Sequence, residues 1–294
     1  MPLKEGSGLM ILIAGAGGRV GRILERQLEA RFPDRLVAAT REEMDLTDPA
    51  RVFLEMERLD PPPTVAINCA ALSDPRLAEA APETSLASNR EGVGNLARAC
   101  REIRCRLVHL SPAAVFGGRK PSPYLESDPP DSSSPYGRIR RLGELEAAEG
   151  NPDHLVLRLS LVCGGGGTGD PLVEIAGAVE EGKALPWADR LVSPIFPEDL
   201  GSAVATVLKN DWRGILHLAG GGTCLLSELA AETARLLGAS SAPDLSGGEG
   251  PASLGEIRGP NAALDTGKFV SLSGRRLREW RAALAASLTV GAEG

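Results

Sequence analysis

Residues 10–13 form an unbroken apolar run, Met10, Ile11, Leu12 and Ile13, after which apolar positions recur with helical spacing at Val20, Ile23, Leu24 and Leu28. Gly15, Gly17, Gly18 and Gly21 lie between and among them. An apolar run of this kind suits a strand buried on both faces of a parallel sheet, so the pattern predicts strand, glycine turn and helix in that order. Only glycine turns the backbone this sharply and brings its N–H groups against a pyrophosphate, which the positive end of the helix also attracts. Gly15, Gly17 and Gly18 are therefore assigned to the binding of a dinucleotide.

The pattern continues with Leu36–Ala39 as a second strand, placed as a right-handed βαβ unit requires. Met44–Leu46 reads as a short strand, and Asp48 and Pro49 as the cap and first turn of a helix. Thr64–Ile67 is a further strand. Pro82 and Glu83 lead into one helix with Leu86, Val93, Leu96, Cys100 and Ile103 on its inner side, and Arg106–Leu110 is the next strand. Pro121–Pro135 has no hydrophobic period and is a loop. Tyr136–Glu149 is a helix that carries Tyr136 and Arg140 on one face. Leu155–Leu159 is a strand, Cys163–Gly169 a glycine-rich exit, and Pro171–Glu181 and Leu200–Leu208 are helices. Ile215–Leu218 is a late strand, Ser227 caps a helix over Glu228–Leu237, Gly238–Gly259 is the least structured stretch, and Arg275–Ser287 is the last helix. The expected fold is α/β: a Rossmann-type doubly wound parallel sheet over 9–165, completed by a strand near 215–219, with a smaller α/β substrate lobe over 166–288.

Composition narrows the partners. With 294 residues the chain suits a nucleotide-binding domain joined to a smaller one. Aromatics are only 3% of the residues, so the core must be aliphatic. The net charge of −7 and the lack of a basic run give no footprint for nucleic acid. No apolar run is long enough to span a membrane. The five cysteines are odd in number and without CxxC spacing, which reads as reduced thiols in a cytoplasmic protein. The three histidines are isolated, and no metal is expected.

The end of the second strand bears on the choice of dinucleotide. An acidic residue there grips the ribose hydroxyls of NAD, whereas an arginine accommodates the phosphate of NADP. This chain has Thr40 and Arg41, which favours NADPH and leaves NADH open. Asp45, at the carboxyl edge of the sheet, is placed to accept a hydrogen bond from an adenine amine, the alternative being a plain loop carboxylate.

ILIAGAGGRVG, MDLTDPARV, INCAALSDPRLAE, SNREGVGNLARAC, RLVHLSPAAVFGG, PYGRIRRLGE, HLVLRLSLVCG and GILHLAGGG follow one another along the chain. Together they resemble the dTDP-4-dehydrorhamnose reductase family within the extended short-chain dehydrogenase/reductases. The resemblance implies that Gly18, Arg19 and Val20 touch the pyrophosphate, Asp45 and Leu46 the adenine, and Ala70, Ala71 and Leu72 the inner ribose and nicotinamide, with Asn89 at the family's asparagine. It implies a nucleotide sugar as the small-molecule substrate, reduced at its C4 carbonyl, and leaves a homodimer open. Arg258 and Asn261 lie in a stretch similar to the family's substrate-lobe signature, where Asn261 and Asp265 could equally be caps. Tyr136 stands at the family's proton donor. The pattern is broken twice: Arg140 stands where the family has Lys, and Pro112 where it has Thr or Ser. Ser111 could supply the missing hydroxyl only if the strand is kinked, because neighbouring strand residues face opposite ways. Tyr136 and Arg140 could otherwise be a surface cation–π pair. Two functions follow as expectations: a keto-sugar reductase, or a homologue that binds the dinucleotide and acts as a regulatory or structural subunit.

Overall fold

The computed structural model describes residues 8–247 and 259–291. Strands β1 (Ile11–Ala14), β2 (Leu36–Ala39), β3 (Val65–Asn68), β4 (Arg106–Pro112) and β5 (His154–Leu159) are interspersed with helices α1 (Arg19–Glu29), α2 (Pro49–Arg58), α3 (Pro75–Ala80), α4 (Pro82–Leu86), α5 (Gly92–Glu102) and α6 (Pro135–Gly150). They are followed by β6 (Leu161–Val162), α7 (Pro171–Glu181), β7 (Leu191–Val192), β8 (Pro194–Ile195), α8 (Pro197–Leu208), β9 (Gly214–Leu218), β10 (Cys224–Leu225), α9 (Leu226–Leu236), α10 (Gly267–Ser273) and α11 (Trp280–Gly291). The chain divides into two compact units. Of the described residues, one takes those up to Pro112, then 138–158 and 201–216; the other takes 113–137, 159–200 and those from His217 on.

The first unit is built on a six-stranded sheet in the order β2-β1-β3-β4-β5-β9. β1 pairs in parallel with β2 and β3, and β3 with β4, so that Ala14 lies level with Ala39 and Asn68, and Asn68 level with His109. β1 is wholly buried, as its apolar run predicts. One face of the sheet is covered by an aliphatic layer in which Leu12, Ala66 and Leu107 meet Val52, Met56, Val93, Leu96 and Ala147 from the helices. Val52 and Met56 face inward because Asp48 starts α2 in the right phase, its Oδ1 accepting the Ala50 and Arg51 N–H groups at 3.1 Å each. α5 ends in a left-handed residue, Arg104 at φ +59°, and the Cys105 N–H closes back on the Cys100 carbonyl at 2.7 Å.

The second unit pairs β6 with β8 in parallel and β7 with β10 antiparallel. Phe116 stacks on Tyr124 at 4.2 Å between ring centroids, with His217 edge-on to Phe116. Arg278 grips the Asp199 carboxylate through Nε and Nη2.

Several local expectations need correction. Met44–Leu46 is a turn, not a strand: Met44 N–H donates to the Thr40 carbonyl at 2.9 Å, and Asp45 Oδ1 accepts from both Thr47 N and Oγ, so the backbone has local partners in place of a ladder. The helix expected from Pro82 to Ile103 is interrupted by a π turn at Ala87–Glu91. Ser227 lies inside α9 and donates its hydroxyl to Asp189, while the Glu228 carboxylate accepts the Leu225 N–H at the helix start. The last helix begins at Trp280 instead of Arg275, because the preceding residues run extended and exchange backbone bonds with Gly221. Helices α3 and α10 are too short to show a period in sequence. Of the Gly238–Gly259 stretch, 248–258 lie outside the described residues, Arg258 among them. Among the described residues, no helix is long and apolar enough to cross a membrane.

Candidate functional site

The glycines after β1 serve two different ends. Gly15 has φ +85°, and a Cβ built on it would lie 2.5 Å from the Ala70 backbone. A Cβ on Gly21 would lie 2.3 Å from the Gly15 carbonyl oxygen, so this glycine lets α1 pack on the strand end. Gly17 and Gly18 are under no such pressure: a Cβ would meet only Thr40 Cγ2 at 3.8 Å from Gly17 and the Gly15 oxygen at 3.4 Å from Gly18. What their missing side chains leave open is the cavity they line. Gly18 is the N-cap of α1 without a side-chain cap, and no acidic residue stands in the first turn, so the helix start presents its dipole to an anion.

The cavity is lined by Gly15, Gly17, Gly18, Arg41, Asp45, Leu46, Ala70, Ala71 and Leu72, together with Met44, Thr47, Cys69 and Ser88. Cys69 belongs to the stretch 68–72 leaving β3, whose small residues permit close approach of a cofactor; Met44, Thr47 and Ser88 are not expected here from sequence. Met44 belongs to the segment expected as a strand, Thr47 follows it, and Ser88 lies in the π turn at Ala87–Glu91. Arg19 and Val20 do not line it; they open α1. Asn89 does not line it either, yet it holds the wall. Its Oδ1 accepts the Leu72 N–H at 2.9 Å and its Nδ2 donates to the Leu72 carbonyl at 2.9 Å and to Ser85 Oγ at 3.1 Å. Asn68 Oδ1 accepts the Ala70 N–H at 3.0 Å. At the other end, Arg41 Nε reaches Asp45 Oδ2 at 3.4 Å while its side chain stays 70% exposed, free to turn toward a phosphate. The Thr47 backbone and hydroxyl bonds hold the Asp45 carboxyl below its ordinary range, so it is an anion with acceptor capacity to spare.

The candidate catalytic residues are distributed differently. Ser111 is buried in the first unit and donates to Glu144 Oε1 at 2.7 Å. The same carboxylate takes a two-bond grip from Arg158, Nε to Oε1 and Nη2 to Oε2 at 2.8 Å each, and a bond from Arg141 at 2.7 Å. Burial disfavours the Glu144 anion, but the bonds from Arg158, Ser111 and Arg141 outweigh it and hold the pKa down at about 2. Arg140 is also buried, donating to the Leu110 carbonyl at 2.6 Å and to Asn89 Oδ1 at 3.4 Å. His109, one strand period before Ser111, is wholly buried with no hydrogen-bond partner on either ring nitrogen. Burial, reinforced by the charge of Arg140, pushes its pKa down to about 3.

Tyr136 belongs to the second unit and Ser111 and Arg140 to the first. Tyr136 and Arg140 are 6% and 4% exposed, so they are not a surface cation–π pair. Within the second unit, the Gly137 N–H donates to Ser134 Oγ at 3.0 Å, which fixes the helix start around Tyr136. Asn261 spends both amide hydrogens on the Lys120 and Ser122 carbonyls at 2.7 Å each and accepts the Ala263 N–H at 2.8 Å. Asp265 Oδ1 accepts the Gly267 N–H at 2.7 Å from one residue before Thr266, the N-cap of α10.

A dinucleotide fits what the first unit offers: two glycines with space above them, an uncapped helix start for the pyrophosphate and an exposed arginine at the ribose end. The family model described as the RmlD substrate binding domain matches residues 9–292. A dTDP-4-dehydrorhamnose reductase of Mycolicibacterium smegmatis is 33% identical, covering 96% of this chain and 86% of that one. One from Streptomyces griseus is 32% identical over 94% and 92%. The fold matches a solved dTDP-4-dehydrorhamnose reductase from Bacillus anthracis in complex with NADP, with a TM-score of 0.86, 21% identity and coverage of 97% and 99%.

Proposed function

The chain belongs to the dTDP-4-dehydrorhamnose reductase family, and on that premise we propose that it is an NADPH-dependent oxidoreductase acting on the 4-keto group of a nucleotide-linked deoxysugar. The single observation that carries this reading is the cavity at the head of α1, where Gly17, Gly18, Arg41 and the Ala70–Leu72 wall meet. When bound, the dinucleotide supplies a hydride to a carbonyl carbon. Gly17 and Gly18 admit its pyrophosphate, Arg41 takes the ribose phosphate, and Ala70, Ala71 and Leu72 shape the nicotinamide side. Tyr136 donates the proton that neutralises the oxygen of the reduced carbonyl. Within the second unit, Asn261 holds the 120–122 loop in place.

Neither position 111 nor position 112 offers a free hydroxyl to polarise the carbonyl. Pro112 has none, and the Ser111 hydroxyl is engaged by Glu144 in the interior. Loss of one such donor typically slows the chemical step about 10²–10³-fold. That observation favours a second reading, a homologue that binds the dinucleotide and serves as a regulatory or structural subunit. Calorimetry with NADPH and NADH, followed by turnover of a dTDP-4-keto-6-deoxysugar by wild type and Tyr136→Phe, separates the two. The reductase reading expects NADPH binding and a turnover that Tyr136→Phe abolishes. Binding without turnover leaves the subunit reading, and no binding of either dinucleotide overturns both.

A further inference from the structure

We propose that Arg140 is a positioning residue of the dinucleotide site, acting through Asn89 on the Leu72 wall of the cavity. The assignment rests on the dinucleotide reading above. Arg140 is 4% exposed and does not itself line the cavity. Its Nη2 is anchored on the Leu110 carbonyl of β4 at 2.6 Å, and Nη1 reaches Asn89 Oδ1 at 3.4 Å. The same Oδ1 accepts the Leu72 N–H, and the Asn89 Nδ2 returns a bond to the Leu72 carbonyl, both at 2.9 Å. One side-chain amide thus pairs with the peptide groups of Leu72 as a neighbouring strand would, and the guanidinium fixes the oxygen on which that pairing turns.

The backbone supports the same linkage. Asn89 sits in the π turn at Ala87–Glu91, a local change of helix geometry that shifts where its side chain and carbonyl are aimed. A Cβ on Gly143 would lie 2.3 Å from the Asn89 carbonyl oxygen, so α6 meets this residue closely at Gly143 and again at Arg140, three positions earlier on the same helix face. The side chain at position 140 suits this task and not a proton relay. A guanidinium is planar, offers several donors in a fixed fork and keeps its proton, so it can hold Leu110 and Asn89 together where a lysine would offer one point charge. With Nη2 turned to β4 and Nη1 to Asn89, while the buried Nε has no hydrogen-bond partner among the described residues, Arg140 couples β4 at Leu110 to the exit of β3, residues 69–72, which forms the cavity wall.

The test uses the full-length protein and the variants Arg140→Met, Asn89→Leu, the double variant and Arg140→Lys. Two quantities are read: the NADPH dissociation constant by calorimetry, and the hydrogen-exchange rate of the Leu72 amide without dinucleotide. Arg140→Met is expected to weaken NADPH binding about tenfold, the scale of one lost charge-assisted bond, and to speed Leu72 exchange. Asn89→Leu should do the same, and the double variant should be no worse than the more damaged single, because the two act in series. Arg140→Lys should fall between wild type and Arg140→Met, and it carries the test if Asn89→Leu fails to fold. An Arg140→Met protein with wild-type NADPH affinity and unchanged Leu72 exchange overturns the assignment alone, as do additive losses in the double variant. A wild type that binds neither NADPH nor NADH overturns the dinucleotide reading and this assignment with it.

Discussion

Ser111 Oγ donates to Glu144 Oε1 at 2.7 Å, and both side chains are buried. The Ser111 hydroxyl is therefore a structural donor to an interior carboxylate. Ser111→Ala should lower stability by about 1–3 kcal/mol, the range for removing one bond to a buried charged group, and leave NADPH affinity unchanged. Chemical denaturation and calorimetry on the same variant check both halves. Pro112→Thr, which places a hydroxyl where the resemblance implies one, should raise turnover of a 4-keto sugar by as much as about 10²-fold. A rise with Ser111→Ala, or none with Pro112→Thr, would show that the polarising group lies elsewhere.

Stability should fall as the solution is acidified, and two buried groups set the window. Glu144 has a folded pKa of about 2 against an ordinary value of 4.5, so its contribution is complete above about 4.5 and is lost as pH falls toward 2. His109, held neutral with a pKa of about 3 against 6.5, acts in the same direction: the unfolded chain takes up its proton first, and stability drops from pH 6.5 downward. The Glu144 share is on the order of 3 kcal/mol. Denaturation midpoints at pH 7, 5.5 and 4 should decline in order. Glu144→Gln should be less stable at neutral pH, because Arg158 loses its counter-charge, and should show a shallower decline below pH 4.5.

Gly15 and Gly17 should respond differently to the same substitution. Gly15→Ala places a methyl 2.5 Å from the Ala70 backbone at φ +85°, and should destabilise the fold by several kcal/mol or prevent it. Gly17→Ala meets nothing closer than 3.8 Å, so thermal stability should hold within about 0.5 kcal/mol of wild type. NADPH affinity should nevertheless fall at least about tenfold, since the methyl enters space reserved for the ligand. Unimpaired binding by Gly17→Ala would place the dinucleotide elsewhere.

Arg41→Ala should weaken NADPH about tenfold or more and NADH little, because only NADPH carries the ribose phosphate. The partner left behind, Asp45, keeps its Thr47 bonds, so the turn itself should persist. Parallel titrations with the two dinucleotides measure the ratio. Equal losses for both would assign Arg41 to the shared part of the ligand.

The amino-acid sequence by itself determined the opening β1–glycine–α1 unit, the bounds of α7 and most of the residues around the cavity. These depend on local rules: apolar runs mark buried strands, helical spacing marks amphipathic faces, and a glycine or a proline acts where it stands. Gly15, Arg41 and Leu72 reach one cavity because each follows a strand of the same parallel sheet, an order readable from the alternation of elements. Tertiary structure alone decided what Ser111 and Arg140 do. Their partners lie 33 and 51 residues away, at Glu144 and Asn89. A buried polar side chain takes its meaning from whatever packing brings against it, and no periodicity in the chain encodes that choice.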